Sequence, residues 1–416
     1  MRKMFRLALV VPVWFIVGCG GLDQPANEVV EGGEVVVDLS ADVIKGSLIA
    51  AGTPGVDETT TVYGYKAYKI PYTTTDEEGN SVEVSGLMVV PTGLPEEVVA
   101  GLGLSMVSDS HGTIFADAES PTVIANNTSS ADGSPIVLTS LGGFVTLQAD
   151  YIGFGDSLDH YHPFILKKSL ANATVDFIKA AKVFATNNDI NLNGQLFLTG
   201  YSEGGYAALA TLERIEMEGS MQVTMAAPMA GPYDVNLTAF GVLSQPTLSV
   251  PSFMANVGYS YAIAYDEELA SVVNEPYASK LETLFDGSKT RSEIDPELTT
   301  VTTGVDGLFN PLFINDFFTN PDNWFRKAVV ENNAHTWAPQ TTVKLVHCEG
   351  DDVIPFGIAQ VAEGTMNAYG AADVSIIPVE AVLGLPDLVG HADCAPMAYS
   401  VTTNIFAQTR AATIGY

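Results

Sequence analysis

The sequence predicts an α/β fold, with a mostly parallel central sheet, helices on both faces and an inserted helical cap. From Val98 onward, short apolar runs alternate with helix-like runs, which is the pattern of parallel strands joined by helices. This alternation of strand-like and helix-like runs stops after Met229 and resumes near Thr342. The segment between these positions is too long to be a loop without secondary structure. The pentapeptide Gly200-Tyr201-Ser202-Glu203-Gly204 lies between a strand-like run and a helix-like run.

The N-terminus has the pattern of an export signal. An apolar run over residues 7–17 follows basic residues and is too short to span a bilayer but typical of a signal peptide. The run ends at Ile16-Val17-Gly18-Cys19, which resembles the lipobox of bacterial lipoproteins. The resemblance implies an acylated Cys19 and, because Gly20 follows it, a lipid anchor in the bacterial outer membrane, on the periplasmic or surface face. An ordinary secretory signal with an incidental cysteine is the alternative.

These patterns divide the chain into five segments. Residues 20–43 are rich in Gly, Asp, Glu and Val without a helical period, which is typical of a tether. The predicted division is a lipoprotein signal peptide over 1–18, a tether over 19–43, a first part of the core over 44–230, the cap over 231–335 and a second part of the core over 336–416.

Within the core, an antiparallel hairpin comes first. Residues 62–72 and 81–91 are strand-like, and the turn sequence Asp76-Glu77-Glu78-Gly79-Asn80 separates them. Later strands are predicted over 99–107, 144–151, 195–200, 222–229, 342–348 and 373–379. Helices are predicted over 164–186, 204–217, 357–369 and 398–412. The cap is rich in aromatic residues, which either form its own core or contact substrate.

The charge of the chain constrains its partners. A formal net charge of −31 at pH 7 repels the phosphates of nucleic acids and anionic lipid headgroups, which excludes DNA and RNA as partners. No later segment reaches ~18 uninterrupted apolar residues, so no further membrane span is predicted. We interpret the acidic surface as a solvated one without a chemical role.

The glycine-bracketed Ser202 has the context of a nucleophile elbow, a strand–turn–helix with Gly-x-Ser-x-Gly at the turn. The turn is so tight that the flanking residues must be nearly free of side chains, and its strained backbone exposes the hydroxyl above the sheet. A free hydroxyl is a poor nucleophile until a base reaches it. A turn serine without chemistry is the alternative.

The order of residues along the chain selects the base. An elbow serine is followed by an acid and then by a histidine, and the histidines after Ser202 are His335, His347 and His391. His347 lies inside a predicted strand, where a buried, hydrogen-bonded imidazole is the ordinary explanation, and His335 precedes the best acid candidate. His391 lies in a predicted loop after the last strand and is the predicted base.

The acid is predicted at Asp351, in Glu349-Gly350-Asp351-Asp352-Val353-Ile354-Pro355 just past the penultimate strand. This segment resembles the acid loop of hydrolases built on such sheets, which commonly have an aspartate two residues before a Val/Ile-Pro pair. The carboxylate would fix the tautomer of His391 and stabilise the imidazolium. Asp352 is the alternative acid, and an N-cap before the helix from Phe356 is the other role open to it.

Two cysteines flank the predicted acid and base. Cys348 stands three residues before Asp351, and Cys394 stands three residues after His391. In an exported protein a disulfide is the expected state, and it would join the acid loop to the base loop. Two buried free thiols are the alternative.

Two backbone N–H groups are predicted to stabilise an oxyanion. One belongs to Glu203, directly after the nucleophile, and the other to Thr113, in Ser110-His111-Gly112-Thr113 after a predicted strand. The His-Gly step resembles the oxyanion loop of many esterases. A turn without chemical importance is the alternative; His111 itself cannot be the base because it precedes Ser202.

Further stretches resemble the secretory lipase family, the lipase-A-like branch of the α/β-hydrolase superfamily. They are residues 68–76, 84–91, 149–157 and 162–163. The resemblance runs from about residue 44 to the C-terminus and is weakest across the cap. It implies an α/β-hydrolase fold and a Ser–Asp–His hydrolase of carboxylic esters whose cap shapes the acyl site. Cys348 departs from the commoner form, which has a glycine there, and Asp150 and Tyr151 are interpreted as structural.

We therefore predict a lipase or esterase that forms an acyl-enzyme on Ser202 and acts on small-molecule or lipid esters. One alternative is a serine aminopeptidase on the same fold, which needs a cap carboxylate for the substrate ammonium, such as Asp266, Glu267 or Glu268. The other is an inactive, surface-anchored binding protein. No metal site, no cofactor and no obligate protein partner is predicted, and the membrane is contacted through the N-terminal acyl anchor.

Overall fold

The fold is described from a computed structural model, which covers residues 33–50, 53, 56–128 and 133–416. The predicted signal peptide and Cys19 lie outside these ranges. Within them, no helix is both long enough and apolar enough to cross a bilayer.

Nine strands in the described ranges form one sheet. They are β1 Glu34–Leu39, β2 Gly64–Thr75, β3 Ser81–Thr92, β4 Leu104–Ser110, β5 Val145–Ala149, β6 Leu192–Tyr201, β7 Met225–Met229, β8 Val343–His347 and β9 Val374–Pro378. The order across the sheet is β1-β2-β3-β5-β4-β6-β7-β8-β9. The pairs from β1 to β5 are antiparallel, and the pairs from β5 through β4 to β9 are parallel.

Helices connect and cover these strands. Those of the core are α1 Ala41–Ala50, α2 Pro121–Thr128, α3 Lys167–Asn187, α4 Glu203–Glu218, α12 Phe356–Tyr369, α13 Val379–Leu383 and α14 His391–Ile414. Those between β7 and β8 are α5 Val235–Leu243, α6 Pro251–Ala264, α7 Leu269–Val272, α8 Ala278–Leu284, α9 Arg291–Ile294, α10 Pro311–Thr319 and α11 Trp324–Glu331. The predicted α/β fold with a mostly parallel sheet is confirmed.

The sheet is buried on both faces around β6. Leu196 and Leu198 belong to the apolar cluster that includes α3 and α4. Phe197, between them, belongs to the cluster on the other face, where Phe406 of α14 packs against its ring. Because side chains alternate along a strand, β6 is held between two helical layers. Its C-terminal end, where Ser202 follows, is therefore rigidly placed.

The hairpin of β2 and β3 is confirmed, but two predicted boundaries are wrong. The segment predicted as a tether includes β1, which pairs antiparallel with β2, and the start of α1. Val37 is buried there, so the chain is already part of the core from β1 onward. The strand predicted over 99–107 begins only at Leu104, because Glu97–Leu102 form a short π-helix.

Residues 230–342, all of which are described, contain the seven helices α5 to α11. The aromatic residues of this segment pack on one another: Phe313 and Tyr261 each contact the ring of Phe325, and Phe317 is fully buried. These aromatic residues therefore form the apolar core of the segment, which is one of the two roles that the sequence predicts for them. The division at 231 and 335 remains a prediction.

Candidate active site

Ser202 forms the sharp turn between β6 and α4. Its backbone has a φ of 60° and a ψ of −120°, which is strained for a residue with a side chain. The glycine at 204 is required by crowding, because a Cβ there would lie 1.9 Å from the carbonyl oxygen of Ser110. A Cβ at Gly200 would lie 2.4 Å from the carbonyl oxygens of Ser110 and Gly204. The turn has the geometry of a nucleophile elbow.

The three residues predicted as nucleophile, base and acid lie in one hydrogen-bonded chain. The Oγ of Ser202 is 3.0 Å from Nε2 of His391, and Nδ1 of His391 is 2.7 Å from Oδ2 of Asp351. In this arrangement Nδ1–H donates to the carboxylate, so Nε2 is free to accept the proton of the hydroxyl. They come after β6, β8 and β9, which run parallel, so the C-terminal ends of these strands lie on the same side of the sheet.

The structure corrects the local setting of His391. It is the first residue of α14, not part of a loop, and the helix begins seven residues before the predicted start at 398. Pro396, which usually ends a helix, lies inside it near its N-terminus. The Oδ1 of Asp352 accepts the backbone N–H of His391 at 2.9 Å. Asp352 thus binds the N-terminus of α14. The two roles predicted for it from the sequence are an alternative acid and an N-cap of the helix from Phe356.

Asp351 accepts hydrogen bonds on both carboxylate oxygens. Oδ1 accepts the backbone N–H groups of Val353 and Ile354, at 2.9 and 2.8 Å. Oδ2 accepts from His391 and also from Nε2 of His347, at 3.1 Å. Burial alone would raise the pKa of Asp351, but the hydrogen bonds from His347 and His391 and the charge of His391 hold that pKa well below its usual value. Asp351 is therefore ionised at neutral pH.

The predicted disulfide is confirmed. Cys348 and Cys394 are bonded, with an S–S distance of 2.02 Å and a Cα–Cα distance of 6.1 Å. Both are fully buried. The bond ties the turn that carries Asp351 to the first turn of α14, which carries His391.

The predicted oxyanion donors line the same cavity as Ser202. Glu203 is the first residue of α4, so its backbone N–H has no acceptor within the helix. The loop of Thr113 lies directly against the elbow, since a Cβ at Gly112 would be 3.0 Å from the carbonyl oxygen of Tyr201. His111 is buried, which lowers the pKa of its ring, and it contacts the carbonyl oxygens of Gly112 and Asp150.

A buried pair of side chains next to the nucleophile was not foreseen from the sequence. The Oε1 of Glu203 lies 2.9 Å from Nε2 of His162, and Nδ1 of His162 lies 2.9 Å from the carbonyl oxygen of Ile152. Both side chains are buried. The pair anchors the first residue of α4 to the loop after β5. The two residues are 41 apart in sequence, and no local pattern connects them.

The cavity at Ser202 is small and mostly apolar. It has a volume of about 100 Å³, and Glu203 is the one charged residue among the described residues that line it. Its apolar wall includes Phe164 and Ile165, which precede α3, and residues of α5, of α6 and of the segment between these two helices. A more open groove of about 820 Å³ between α5 and α12 shares Thr238, Val242, Ser249 and Val353 with it.

No cluster of three or more His, Cys, Asp or Glu side chains that could hold a metal ion is found in the described part of the chain.

Asp150, interpreted from the sequence as structural, is buried and accepts hydrogen bonds from the Ser85 hydroxyl and from the backbone and hydroxyl of Thr122. Burial raises its pKa to about 6. Tyr151 is likewise buried and stacks on His111.

No protein-family model matches this sequence, and no curated protein matches it either. Solved structures do resemble it. A protein from Legionella pneumophila is 24% identical, with a TM-score of 0.79 over 92% of this chain and 98% of that one. The rice cell wall degrading esterase LipA from Xanthomonas oryzae, in a ligand-bound form, is 25% identical, with a TM-score of 0.76 over 92% and 97% of the two chains.

Candida antarctica lipase A is more distant, at 15% identity, with a TM-score of 0.59 over 88% of this chain and 77% of that one. This chain therefore has the α/β-hydrolase fold.

Proposed function

We propose that this protein hydrolyses carboxylic esters through an acyl-enzyme on Ser202. The observation that carries the proposal is the unbroken hydrogen-bonded chain from Ser202 Oγ through His391 to Asp351, at 3.0 and 2.7 Å. Two structural neighbours, an esterase and a lipase, support the same class of substrate.

In the proposed reaction, His391 Nε2 removes the hydroxyl proton as Ser202 Oγ attacks the ester carbonyl. The imidazolium that forms is stabilised by Asp351, and it then gives the proton to the leaving alcohol. A water molecule repeats the cycle on the acyl-enzyme and releases the acid. The N–H groups of Glu203 and Thr113 are proposed to donate to the oxyanion in both tetrahedral intermediates.

The cavity favours a short, apolar acyl group. Its volume of about 100 Å³ is smaller than the ~150 Å³ of a cavity known to hold benzene. A bulkier part of the ester would then lie in the groove between α5 and α12, which shares four lining residues with the cavity. We therefore expect short-chain p-nitrophenyl esters to be cleaved faster than long-chain ones.

The geometry favours an esterase over a serine aminopeptidase. The cap carboxylates considered for a substrate ammonium, Asp266, Glu267 and Glu268, are exposed, and none of them lines the cavity at Ser202. Glu203, which does line it, is paired with His162. An inactive binding protein is disfavoured because a protein without activity has no need of the aligned Ser202, His391 and Asp351.

The test combines covalent labelling with a substrate panel. A fluorophosphonate probe should label the wild-type protein but not Ser202→Ala, and no label on folded wild type would defeat the proposal. A p-nitrophenyl ester chain-length series run beside an aminoacyl anilide separates esterase from peptidase. Faster cleavage of the anilide would favour the aminopeptidase alternative.

We also propose that the protein is exported and held on the bacterial outer membrane by acylation of Cys19. The support is the lipobox-like sequence that ends at Cys19, preceded by basic residues and an apolar run. Metabolic labelling with palmitate should mark the wild-type protein in the membrane fraction. Cys19→Ser should abolish both the label and the membrane location, and an unlabelled wild type would contradict the proposal.

A further inference from the structure

A second histidine contacts the acid of the proposed active site. His347, the last residue of β8, is fully buried. Its Nε2 lies 3.1 Å from Oδ2 of Asp351 and 2.9 Å from the carbonyl oxygen of Ile354. A carboxylate and a carbonyl oxygen both only accept, so Nε2 of His347 must carry the proton that they share.

The surroundings of the other ring nitrogen, Nδ1, show that His347 is neutral. Nδ1 of His347 is buried, and it has no hydrogen-bond partner among the described residues. A proton on Nδ1 would be a buried donor without an acceptor, which costs more than an unfilled lone pair. His347 is therefore held as the neutral Nε2–H tautomer and acts as a donor only.

We infer that His347 is a positioning residue that fixes the Asp351 carboxylate for His391. An ionised carboxylate has about four lone-pair sites, and the four donors to Asp351 fill them: two backbone N–H groups on Oδ1, and His347 and His391 on Oδ2. With His347 in place, Oδ2 has one direction left, and that direction points to Nδ1 of His391. The inference rests on the proposed function, because it assigns a role within the proposed Ser202–His391–Asp351 chain.

The hydrogen bond from His347 also weakens the electrostatic effect of Asp351 on His391. Donation from His347 takes up part of the negative charge on Oδ2, so less of that charge acts on the His391 imidazolium. Removing the donor should have two effects at once. The carboxylate loses one of its four hydrogen-bond donors and is held less firmly, which slows the reaction. The negative charge that acts on His391 also increases, which favours the protonated form of His391.

The test uses two side chains of the same length. His347→Gln keeps an amide N–H that can reach the position of Nε2, whereas His347→Met has no donor. Loss of a hydrogen bond to a charged group predicts a kcat about 10- to 100-fold lower for His347→Met, with KM unchanged and the acidic limb of the kcat/KM profile at higher pH. His347→Gln should restore most of kcat and the position of that limb.

A buried histidine away from the acid serves as the matched control. His335 is buried and its Nδ1 lies 2.9 Å from the carbonyl oxygen of Tyr233. His335→Met should cost stability but leave the acidic limb where it is in the wild type. If His347→Met shows the same kcat and the same limb as the wild type, His347 is only a packing residue and the inference fails.

A measurement on the wild type keeps the inference testable if the variants do not fold. In protein labelled with ¹⁵N-histidine, the His347 ring should be the neutral Nε2–H tautomer across the pH range of activity. An Nδ1–H tautomer would overturn the inference. If the wild type neither cleaves esters nor reacts with a fluorophosphonate, the proposed function has failed instead, so the two failures are distinguishable.

Discussion

Breaking the disulfide should cost both stability and catalytic efficiency. Cys348 and Cys394 are 46 residues apart. In the chain-entropy model, a bond that closes a loop of this length removes about 14 cal/mol/K from the unfolded chain, or about 4 kcal/mol at 25 °C. The double variant Cys348→Ala/Cys394→Ala should lose about that much free energy of unfolding. Because both side chains are fully buried, the space left by the sulfur atoms adds to the loss.

The same loss can be expressed as a melting temperature. An unfolding entropy of about 2.1 cal/mol/K per residue gives about 0.9 kcal/mol/K for a chain of 416 residues, so 4 kcal/mol corresponds to a fall of about 5 °C in Tm. Activity should fall as well, by about tenfold in kcat, since the bond restrains the turns that carry Asp351 and His391. KM should change little, because neither cysteine lines the cavity.

Calorimetry and ester kinetics with and without reductant provide the assay. The single variant Cys348→Ala should be as unstable as the double variant, because either change breaks the bond. Wild-type protein in reductant should approach the Tm of the double variant, which itself should not respond to reductant. A double variant within about 1 kcal/mol of the wild type would refute the reasoning.

Three further predictions concern single residues. Asp351→Asn should lower kcat by about 10⁴-fold, because the His391 imidazolium loses its carboxylate partner. Asp352 accepts the backbone N–H of His391 and does not contact its ring, so Asp352→Asn should lower kcat by about tenfold or less in the same ester assay. Burial raises the pKa of Asp150 to about 6, above its ordinary value, so its contribution to stability is full at low pH and is lost as pH rises through about 6. Asp150→Asn should remove that dependence, worth about 2 kcal/mol in urea denaturation between pH 4 and 7, and an unchanged pH profile would contradict it. Gly204→Ala should prevent folding, because the new Cβ would lie 1.9 Å from the carbonyl oxygen of Ser110. The control is Gly357→Ala: Gly357 is the second residue of α12, as Gly204 is of α4, but it has open space around it. This variant should be as stable as the wild type or more stable in a thermal melt.

Much of the fold and of the candidate site follows from local sequence patterns. The elbow at Ser202 is recognisable because a strand, two glycines and a helix are adjacent along the chain. His391 and Asp351 follow from their order after Ser202 and from the turn residues around them, and the cysteines at fixed offsets from each predict the disulfide. In each case the signal lies within a few residues of the side chain concerned.

Contacts between distant segments explain what the sequence did not reveal. The pairing of Glu203 with His162 and the contact of His347 with Asp351 depend on how loops meet at the sheet edge. The sequence around β1 predicts a tether, because the strand that pairs with it, β2, begins more than twenty residues later. The helical start at His391 was hidden by Pro396, which lies near enough to the N-terminus of α14 to be accommodated.

The most direct test of the central claim is to identify the acylated atom. The wild type, mixed with a p-nitrophenyl ester and quenched within the first turnovers, should gain the mass of one acyl group. Peptide analysis should place that group on Ser202, and Ser202→Ala should gain none. A wild type that turns over the ester with the acyl group on another residue, or with none at any time, would contradict the account.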